Sequence, residues 1–312
     1  MSRRRPDADV APSVLLVDKP AGMTSHDVVA RARRALSVRR VGHAGTLDPM
    51  ATGLLVLGVG AATRLLGHLA GSDKTYEATI RLGQATVTDD REGEVLATTS
   101  TAHLDDAAVR AALAAQTGPL QQVPSAVSAV KVAGRRAYDR VRAGEEVELA
   151  PRAVTVHQLD VHRITRPTPD LLDVGVTVVC TAGTYIRAIA RDAGTALGVG
   201  GHLTALRRTA SGPFAVGDAA PVEDAAAALL AGGGRGVLAM THAATAVFPR
   251  RDLTLPEATA LGFGQRIPAT GTAGLVAAVA PGGRLVALVE DAGAVARVAV
   301  GFPAPAVGPS GP

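Results

Sequence analysis

One carboxylate of the chain lies in a loop that could hold it for chemistry. Asp48 stands near the end of residues 41–49, which read VGHAGTLDP, just before an apolar run at residues 54–57. Gly42 and Gly45 let the backbone approach a ligand closely, and Pro49 biases Asp48 away from helical geometry. A carboxylate held in this way can act as a nucleophile or a general base. Taken alone, however, the spacing favours an ordinary Asp-Pro turn, which is common in any protein.

Motifs for common cofactors are absent from the sequence. It contains no phosphate-binding loop ending in Gly-Lys-Ser/Thr, no dinucleotide-binding glycine fingerprint, no His-Glu-x-x-His and no Gly-x-Ser-x-Gly. The eight histidines show no metal-ligand spacing, and the single cysteine, Cys180, can form neither an internal disulfide nor a cysteine-rich zinc site. The sequence therefore predicts a reaction that uses no metal ion and no nucleotide cofactor.

Positive charge is concentrated in two parts of the chain. The net charge is +4, and arginines crowd the first forty residues and again residues 135–142. Each cluster alone is typical of a solvated face, but two clusters that flank the candidate chemistry favour a nucleic-acid partner. Tyr76, Tyr138 and Tyr185 each lie within a few residues of a cation. That pairing suits stacking on bases, although surface tyrosines and chance produce the same pattern.

The composition is that of a globular protein with small core side chains. Hydrophobic residues make up 47% and aromatic residues only 2%, so the core must be built from Ala, Val and Leu. No apolar stretch reaches about 18 residues, which predicts no membrane span. No secretory signal is visible at the Arg-rich N-terminus. We expect a cytoplasmic protein.

The elements that must position Asp48 are short and mixed. The patterns predict strands at 13–17, 54–57, 75–82 and 172–180. They predict helices at 26–36 (capped by Ser25), from about 184 to 197, and at 225–230. Because these elements follow no regular β-α-β rhythm, we expect an α+β fold.

The pattern changes after about residue 250. A short helix at 253–261 is followed by predicted strands at 275–279, 285–289 and 295–300, which indicates a small β-rich module. The expected organisation is a loose tail at 1–11, a catalytic domain at 12–249, the C-terminal module at 250–303 and a disordered tail at 304–312.

Five motifs in a fixed order carry a family resemblance. They read DKPAGMTS (18–25) with GHAGTLDP (42–49), SDKTYEA (72–78), QVP (122–124) with SAVKVAGRRAY (128–138), GTYIR (183–187) and LRR (206–208). In this order they resemble the TruB family of tRNA pseudouridine synthases. One motif departs from the family's Pro-Pro-x-Tyr-Ser-Ala: here residues 124–129 read PSAVSA, so one Pro and one ring are missing, at Ser125 and Val127.

The resemblance implies a fold, a reaction and site residues. The fold would have a mixed, largely antiparallel central sheet flanked by helices, a thumb insertion at about 121–152 and a PUA-like C-terminal domain. The reaction would turn uridine 55 of the tRNA T-loop into pseudouridine without a cofactor. The catalytic residues would be Asp48, Tyr76 and Arg187, with Asp48 and Arg187 paired. The RNA-binding residues would be Lys19, His43, Lys131, Arg135, Arg136, Tyr185, Leu206 and Arg208.

Several alternatives stay open at this point. Asp48 could attack the sugar as a nucleophile or start an elimination as a base. Lys19 could support the active-site loop instead of binding phosphate, and Leu206 could be plain core. We expect a monomer that acts on the T-stem-loop of tRNA with no protein partner and no membrane. A non-catalytic RNA-binding protein and a guide-RNA-dependent synthase are competing functions, and the thumb-like segment 131–138 argues against the second. A third is a soluble metabolic enzyme with a basic surface, which no small-molecule fingerprint supports.

Overall fold

The computed structural model describes residues 10–125, 131–132, 135–136 and 150–302, with the backbone only at 131–132 and 135–136. The described helices are α1 (Ser25–Leu36), α2 (Leu66–Leu69), α3 (Asp106–Ala114), α4 (Ile186–Ala196), α5 (Val222–Leu230), α6 (Met240–Val247) and α7 (Leu255–Gly262). Short 3-10 turns cover Gly60–Arg64 and Val216–Asp218.

The described strands number nineteen. Those of the first two-thirds of the chain are β1 (Ser13–Lys19), β2 (Val41–His43), β3 (Thr52–Val59), β4 (Lys74–Leu82), β5 (Gln84–Thr86), β6 (Val95–Thr98), β7 (Gly118–Gln122), β8 (Lys131–Val132), β9 (Arg135–Arg136), β10 (Arg152–Thr168), β11 (Leu171–Cys180), β12 (Gly201–Ser211) and β13 (Phe214–Ala215). The remainder are β14 (Val237–Ala239), β15 (Arg250–Asp252), β16 (Ile267–Pro268), β17 (Leu275–Val279), β18 (Leu285–Ala292) and β19 (Val295–Gly301).

A ten-stranded sheet forms the centre of the molecule. Its order is β14-β1-β3-β12-β4-β11-β10-β7, with β2 beside β3 and β13 beside β12. All of its strand pairs are antiparallel except β12 with β3, where Arg207 and Arg208 lie opposite Thr52 and Gly53. The mixed, largely antiparallel α+β fold predicted from the sequence is therefore confirmed.

Alternation along β1 and β3 divides the core into two layers. Because successive side chains of a strand point to opposite faces, each strand serves both layers. The layer that contacts α1, α4 and α5 receives Leu15, Val17, Leu55 and Leu57. The opposite layer receives Val14, Leu16, Leu54 and Val56, and there they meet α6 and the C-terminal sheet.

The C-terminal module is a five-stranded sheet of order β15-β17-β18-β19-β16. One of its faces contributes Val279, Leu285 and Leu288 to the layer shared with the central sheet. Its other face packs against Leu261 of α7 in a cluster of its own. The β-rich, PUA-like character expected of this module is confirmed.

Residue Ser25 has a different role from the predicted helix cap. Thr24 is the N-cap of α1: its hydroxyl accepts from Asp27 N, and the Asp27 carboxylate accepts from Thr24 N, which makes a reciprocal capping box. Ser25 is the first residue of the helix and is buried. Its hydroxyl turns towards the loop that carries Asp48.

Helix α4 lies very close to the start of β12. A Cβ atom at Gly194 would lie 2.2 Å from Gly200 C and 2.3 Å from Gly201 N. Only glycine fits at this crossing, and the crossing holds α4, which carries Arg187, against the sheet.

We predict that Gly194→Ala lowers the free energy of unfolding by about 2 kcal/mol or more, because backbone must move to admit the methyl group. Urea unfolding followed by circular dichroism measures this. Gly67→Ala in α2 is the matched control, since its Cβ meets nothing within 4 Å, and it should be neutral or stabilise by about 0.5–1 kcal/mol. Equal stabilities for the two variants would contradict the close packing described for α4.

Candidate active site

An ion pair between Asp48 and Arg187 forms the centre of the site. Arg187 Nε lies 3.0 Å from Asp48 Oδ2, and Arg187 Nη2 donates to Asp48 Oδ1 at 3.2 Å. A two-pronged contact of this kind fixes the carboxylate plane as well as its position. The Asp48 side chain is still 33% exposed, whereas that of Arg187 is 6% exposed. The pairing expected from the motifs is therefore present, with the carboxylate accessible and the guanidinium buried.

A second carboxylate holds Arg187 from the opposite side. Arg187 Nη1 lies 3.3 Å from Asp90 Oδ2 and donates to Thr88 O at 2.8 Å. Asp90 is buried, and its other oxygen accepts from Thr88 Oγ1 at 2.5 Å and from Glu92 N at 3.0 Å. The guanidinium is thus placed between two carboxylates, of which only Asp48 is open to solvent.

Asp90 was not among the residues predicted from the sequence. It lies in TVTDDREGE (residues 86–94), a polar, charged stretch that reads as a solvated turn. No sequence signal points to it, and only the structure shows the unusual backbone beside it: Asp89 has a φ of 57°, in the left-handed region that non-glycine residues rarely adopt. That conformation carries the chain past β12 and lets Asp90 face Arg187.

Lys19 fixes the backbone just after Asp48. Its ammonium donates to Pro49 O at 3.2 Å, Met23 O at 2.6 Å and Pro20 O at 3.0 Å, and the residue is fully buried. Gly22 N also donates to Pro49 O, at 2.8 Å. Because the Lys19 side chain has no solvent exposure, its contacts favour loop support, one of the two roles that the sequence left open.

Ser25 and Arg208 fix the backbone just before Asp48. The Ser25 hydroxyl accepts from Leu47 N at 2.9 Å and lies 3.2 Å from Leu47 O. Arg208 is 1% exposed and donates to Leu54 O at 2.7 Å, Gly45 O at 3.1 Å and Thr46 O at 3.4 Å. Arg208 therefore supports the same loop from inside the protein, and its RNA contact stays a prediction.

A pocket of about 330 Å³ opens at Asp48. Its walls include Tyr76, Tyr185, Leu206 and Arg208. This volume falls within the usual range for small-ligand sites, about 300–1,000 Å³. A larger hollow of about 580 Å³ lies beside Asp18 and Arg207, but those two side chains already bind each other at 2.8 and 3.0 Å. We therefore take the smaller pocket, which contains the accessible Asp48 carboxylate, as the candidate active site.

Tyr76 and Leu206 line the pocket from neighbouring strands. Burial raises the pKa of the Tyr76 hydroxyl, and the nearby Arg208 guanidinium only partly offsets this. The phenol is therefore neutral around pH 7. Leu206 is 7% exposed and lies opposite Ala78 in the β12–β4 pairing, so it serves the core and the pocket wall together.

The remaining predicted residues are spread around the site. His43 lies on β2, and its ring meets that of His26 edge-on at 5.4 Å. Burial and the neighbouring His26 lower the pKa of His43, which keeps the imidazole neutral near pH 7. Lys131, Arg135 and Arg136 belong to the β8–β9 hairpin, but their side chains lie outside the described residues, as does most of the predicted thumb.

Metal-binding clusters and membrane-spanning helices are both absent from the described residues. Within residues 10–125 and 150–302, the structure contains no group of three or more His, Cys, Asp or Glu side chains that could hold a metal ion. Among the helices described, none is long and apolar enough to cross a membrane.

Comparison with known proteins assigns the chain to a family. The model described as "TruB family pseudouridylate synthase (N terminal domain)" matches residues 33–186. Two further family models match C-terminal to it: "tRNA pseudouridylate synthase B C-terminal domain" at 187–233 and "tRNA Pseudouridine synthase II, C terminal" at 248–303. The chain belongs to the TruB family of pseudouridine synthases.

Relatives in the TruB family match over almost their whole length. The protein named tRNA pseudouridine synthase B of Arthrobacter sp. (strain FB24) is 55% identical over 300 residues, which cover 93% of this chain and 96% of the relative. That of Thermobifida fusca (strain YX) is 55% identical over 285 residues, covering 90% and 95%.

Solved structures of similar fold include chains of two complexes that contain Cbf5 and Nop10. A chain of the archaeal box H/ACA sRNP Nop10-Cbf5 complex superimposes with a TM-score of 0.70 at 25% identity, covering 96% of this chain and 89% of that one. A chain of a Cbf5-Nop10-Gar1 complex gives 0.70 at 26% identity, covering 97% and 92%.

We predict that Asp90→Asn slows pseudouridine formation at least tenfold, or about 1.4 kcal/mol of barrier, because Arg187 loses the charge that holds it in place. Single-turnover assays with excess enzyme measure the rate. Glu92→Gln is the matched control, since Glu92 is exposed on the same loop, and it should stay within twofold of the wild type. Full activity of Asp90→Asn would show that Arg187 needs only Asp48.

A pH dependence follows from Lys19, whose pKa burial lowers from 10.5 to about 8. Between those values the unfolded chain binds a proton that the folded chain does not, so this lysine's contribution to stability rises with pH across the window and is constant below it. Urea unfolding at pH 7.5 and 9.5 should show the wild type gaining stability relative to Lys19→Met. Parallel curves would mean that the three carbonyls hold the lysine pKa at its ordinary value.

Proposed function

We propose that the chain is a tRNA pseudouridine synthase that isomerises uridine 55 of the T-loop, with Asp48 as its essential carboxylate and without a cofactor. The observation that carries the proposal is the two-pronged contact of Arg187 with Asp48 at the opening of a pocket of about 330 Å³. The name shared by the relatives, tRNA pseudouridine synthase B, supports tRNA as the substrate.

The reaction needs one carboxylate and no added reagent. The N1–C1′ bond of the uridine breaks, the uracil turns, and a C5–C1′ bond forms, while the C5 proton moves to solvent and N1 gains one. Asp48, one-third exposed, can attack C1′ as a nucleophile or remove the C2′ proton to begin an elimination. In both routes Arg187 keeps the two carboxylate oxygens of Asp48 oriented while charge develops on the sugar in the transition state.

The substrate base must leave its stack to reach Asp48. The carboxylate lies at a pocket wall, and a nucleotide inside a folded T-loop is not accessible, so we infer that it is flipped outwards at a cost of a few kcal/mol. His43 would then fill the vacated position. Its neutral ring is compatible with stacking against bases.

Tyr76 and Leu206 are proposed to hold the flipped uracil between them. The Tyr76 ring offers a stacking surface in a chain with few aromatic residues. Proton removal from C5 by the Tyr76 hydroxyl would require the phenolate, which burial disfavours. We therefore assign Tyr76 a stacking role first.

Binding of the rest of the RNA is proposed for the basic segment and the C-terminal module. Lys131, Arg135, Arg136 and Tyr185 would contact the T-stem-loop. The domain limits of 12–249, with an insertion at about 121–152, and 250–303 stay a prediction, as do a monomeric state and a cytoplasmic location.

A guide-RNA-dependent synthase is the second candidate, since one solved structure of similar fold is an archaeal box H/ACA sRNP Nop10-Cbf5 complex. Sequence identity favours the stand-alone enzyme. The chain is 55% identical to proteins named tRNA pseudouridine synthase B and 25–26% identical to the chains from the Cbf5 complexes.

We expect Asp48→Asn to abolish tritium release from tRNA that carries 5-tritiated uridine, while the Kd for tRNA changes less than about threefold, because the carboxylate acts in the transition state. The control Asp106→Asn removes an exposed carboxylate on α3 and should behave as the wild type. A transcript with cytidine at position 55 should release no tritium. Activity of Asp48→Asn near the wild-type level would exclude the mechanism, and release from the cytidine transcript would exclude the position.

A further inference from the structure

The side chain of Gln122 makes a contact that neither the fold nor the proposed chemistry has used. Gln122 is the last residue of β7 and is 1% exposed. Its Oε1 accepts from Tyr185 N at 2.9 Å, and its Nε2 donates to Tyr185 O at 3.4 Å. One carboxamide therefore binds both polar backbone groups of a single residue, much as a neighbouring strand would.

Tyr185 is the residue from which α4 begins. It is the N-cap of the helix, and its own side chain makes no cap hydrogen bond. Its carbonyl accepts from Ala188 N at 3.1 Å and from Ile189 N at 3.4 Å. Because these bonds define the first helical turn, the position of the Tyr185 backbone fixes the direction in which the Arg187 side chain leaves the helix.

Arg187 tolerates little displacement. Its guanidinium must reach Asp48 on one side and Asp90 on the other, at 3.0 and 3.3 Å. A shift of the first turn by about 1 Å would break one of these contacts, and misplacements of that size cost catalysis by factors of about 10².

The same end of β7 holds α4 at a second point. Arg191, one turn after Arg187, donates from Nη2 to Val123 O at 2.9 Å. Its Nη1 lies 3.3 Å from Asp89 Oδ2, next to Asp90 in the chain. Residues 122–123 therefore contact α4 over its first two turns, and the same network reaches the loop that carries Asp90.

We propose that Gln122 is a positioning residue for the reaction. It holds the Tyr185 backbone so that Arg187 stays between Asp48 and Asp90, and it does not touch the substrate. This inference rests on the proposed function and deepens it, since it connects the strand that leads into the predicted RNA-binding insertion with the arginine of the site.

The test compares Gln122→Met with Gln121→Met. Methionine has nearly the shape of glutamine and lacks its amide, so the core stays filled while the contact with Tyr185 is lost. Gln121 is the exposed neighbour on the same strand and serves as the matched control. We expect Gln122→Met to lower the single-turnover rate about tenfold with the Kd for tRNA within twofold of the wild type, and Gln121→Met to change neither.

A double-mutant cycle separates positioning from general damage to the fold. If Gln122 acts through Arg187, the variant Gln122→Met combined with Arg187→Lys should be no more than twofold slower than Arg187→Lys alone. The proposal would be overturned if the rate losses of the two single variants multiplied in the double variant, or if the rate of Gln122→Met stayed within twofold of the wild type.

A crystal structure of Gln122→Met gives a readout that does not depend on activity. The distance from Arg187 Nε to Asp48 Oδ2 should lengthen beyond hydrogen-bond range in the variant, and an unchanged distance would overturn the inference. A wild-type protein that forms no pseudouridine in tRNA would instead defeat the proposed function, and the structural comparison would still decide the role of Gln122.

Discussion

The guanidinium of Arg187 lies between two carboxylates, and the rest of the site is organised around that arrangement. Asp90 is buried, so its charge is balanced inside the protein, whereas Asp48 keeps a third of its side chain open. Asp90 thus binds the buried side of the Arg187 guanidinium, and the exposed part of Asp48 remains accessible to a substrate. A buried cation that loses its partner is strongly destabilising, and Asp90 keeps a buried partner beside Arg187.

Two further cations bind backbone groups of the Asp48 loop and are not exposed to solvent. Lys19 and Arg208 are buried and bind backbone carbonyls on either side of the carboxylate. Charged donors make the stronger hydrogen bonds to carbonyl groups, which offsets part of the cost of removing them from water. The loop is in this way held by side chains from β1 and β12, and these two strands both neighbour β3 in the sheet.

Periodicity predicted β4, β11 and α1 close to their observed limits, because each of these patterns follows from a buried face, but it did not predict β10 or β12. The motifs likewise predicted the Asp48–Arg187 pair. They could not predict Asp90, because an acidic turn reads as solvated until α4 brings an arginine to it. The sequence left the role of Lys19 open between loop support and phosphate binding, and it did not predict the burial of Arg208, because only the folded loop supplies the carbonyls that hold these cations.

The placement of β12 also bears on how the chain folds. This strand enters the sheet between β3 and β4, which precede it by more than a hundred residues. Contacts between such distant segments are slow to form, since a long loop must close before they contribute any stability. During synthesis on the ribosome, β3 and β4 would emerge before β12, and the edges that pair with β12 would stay without that partner, a state that is prone to aggregation until β12 arrives.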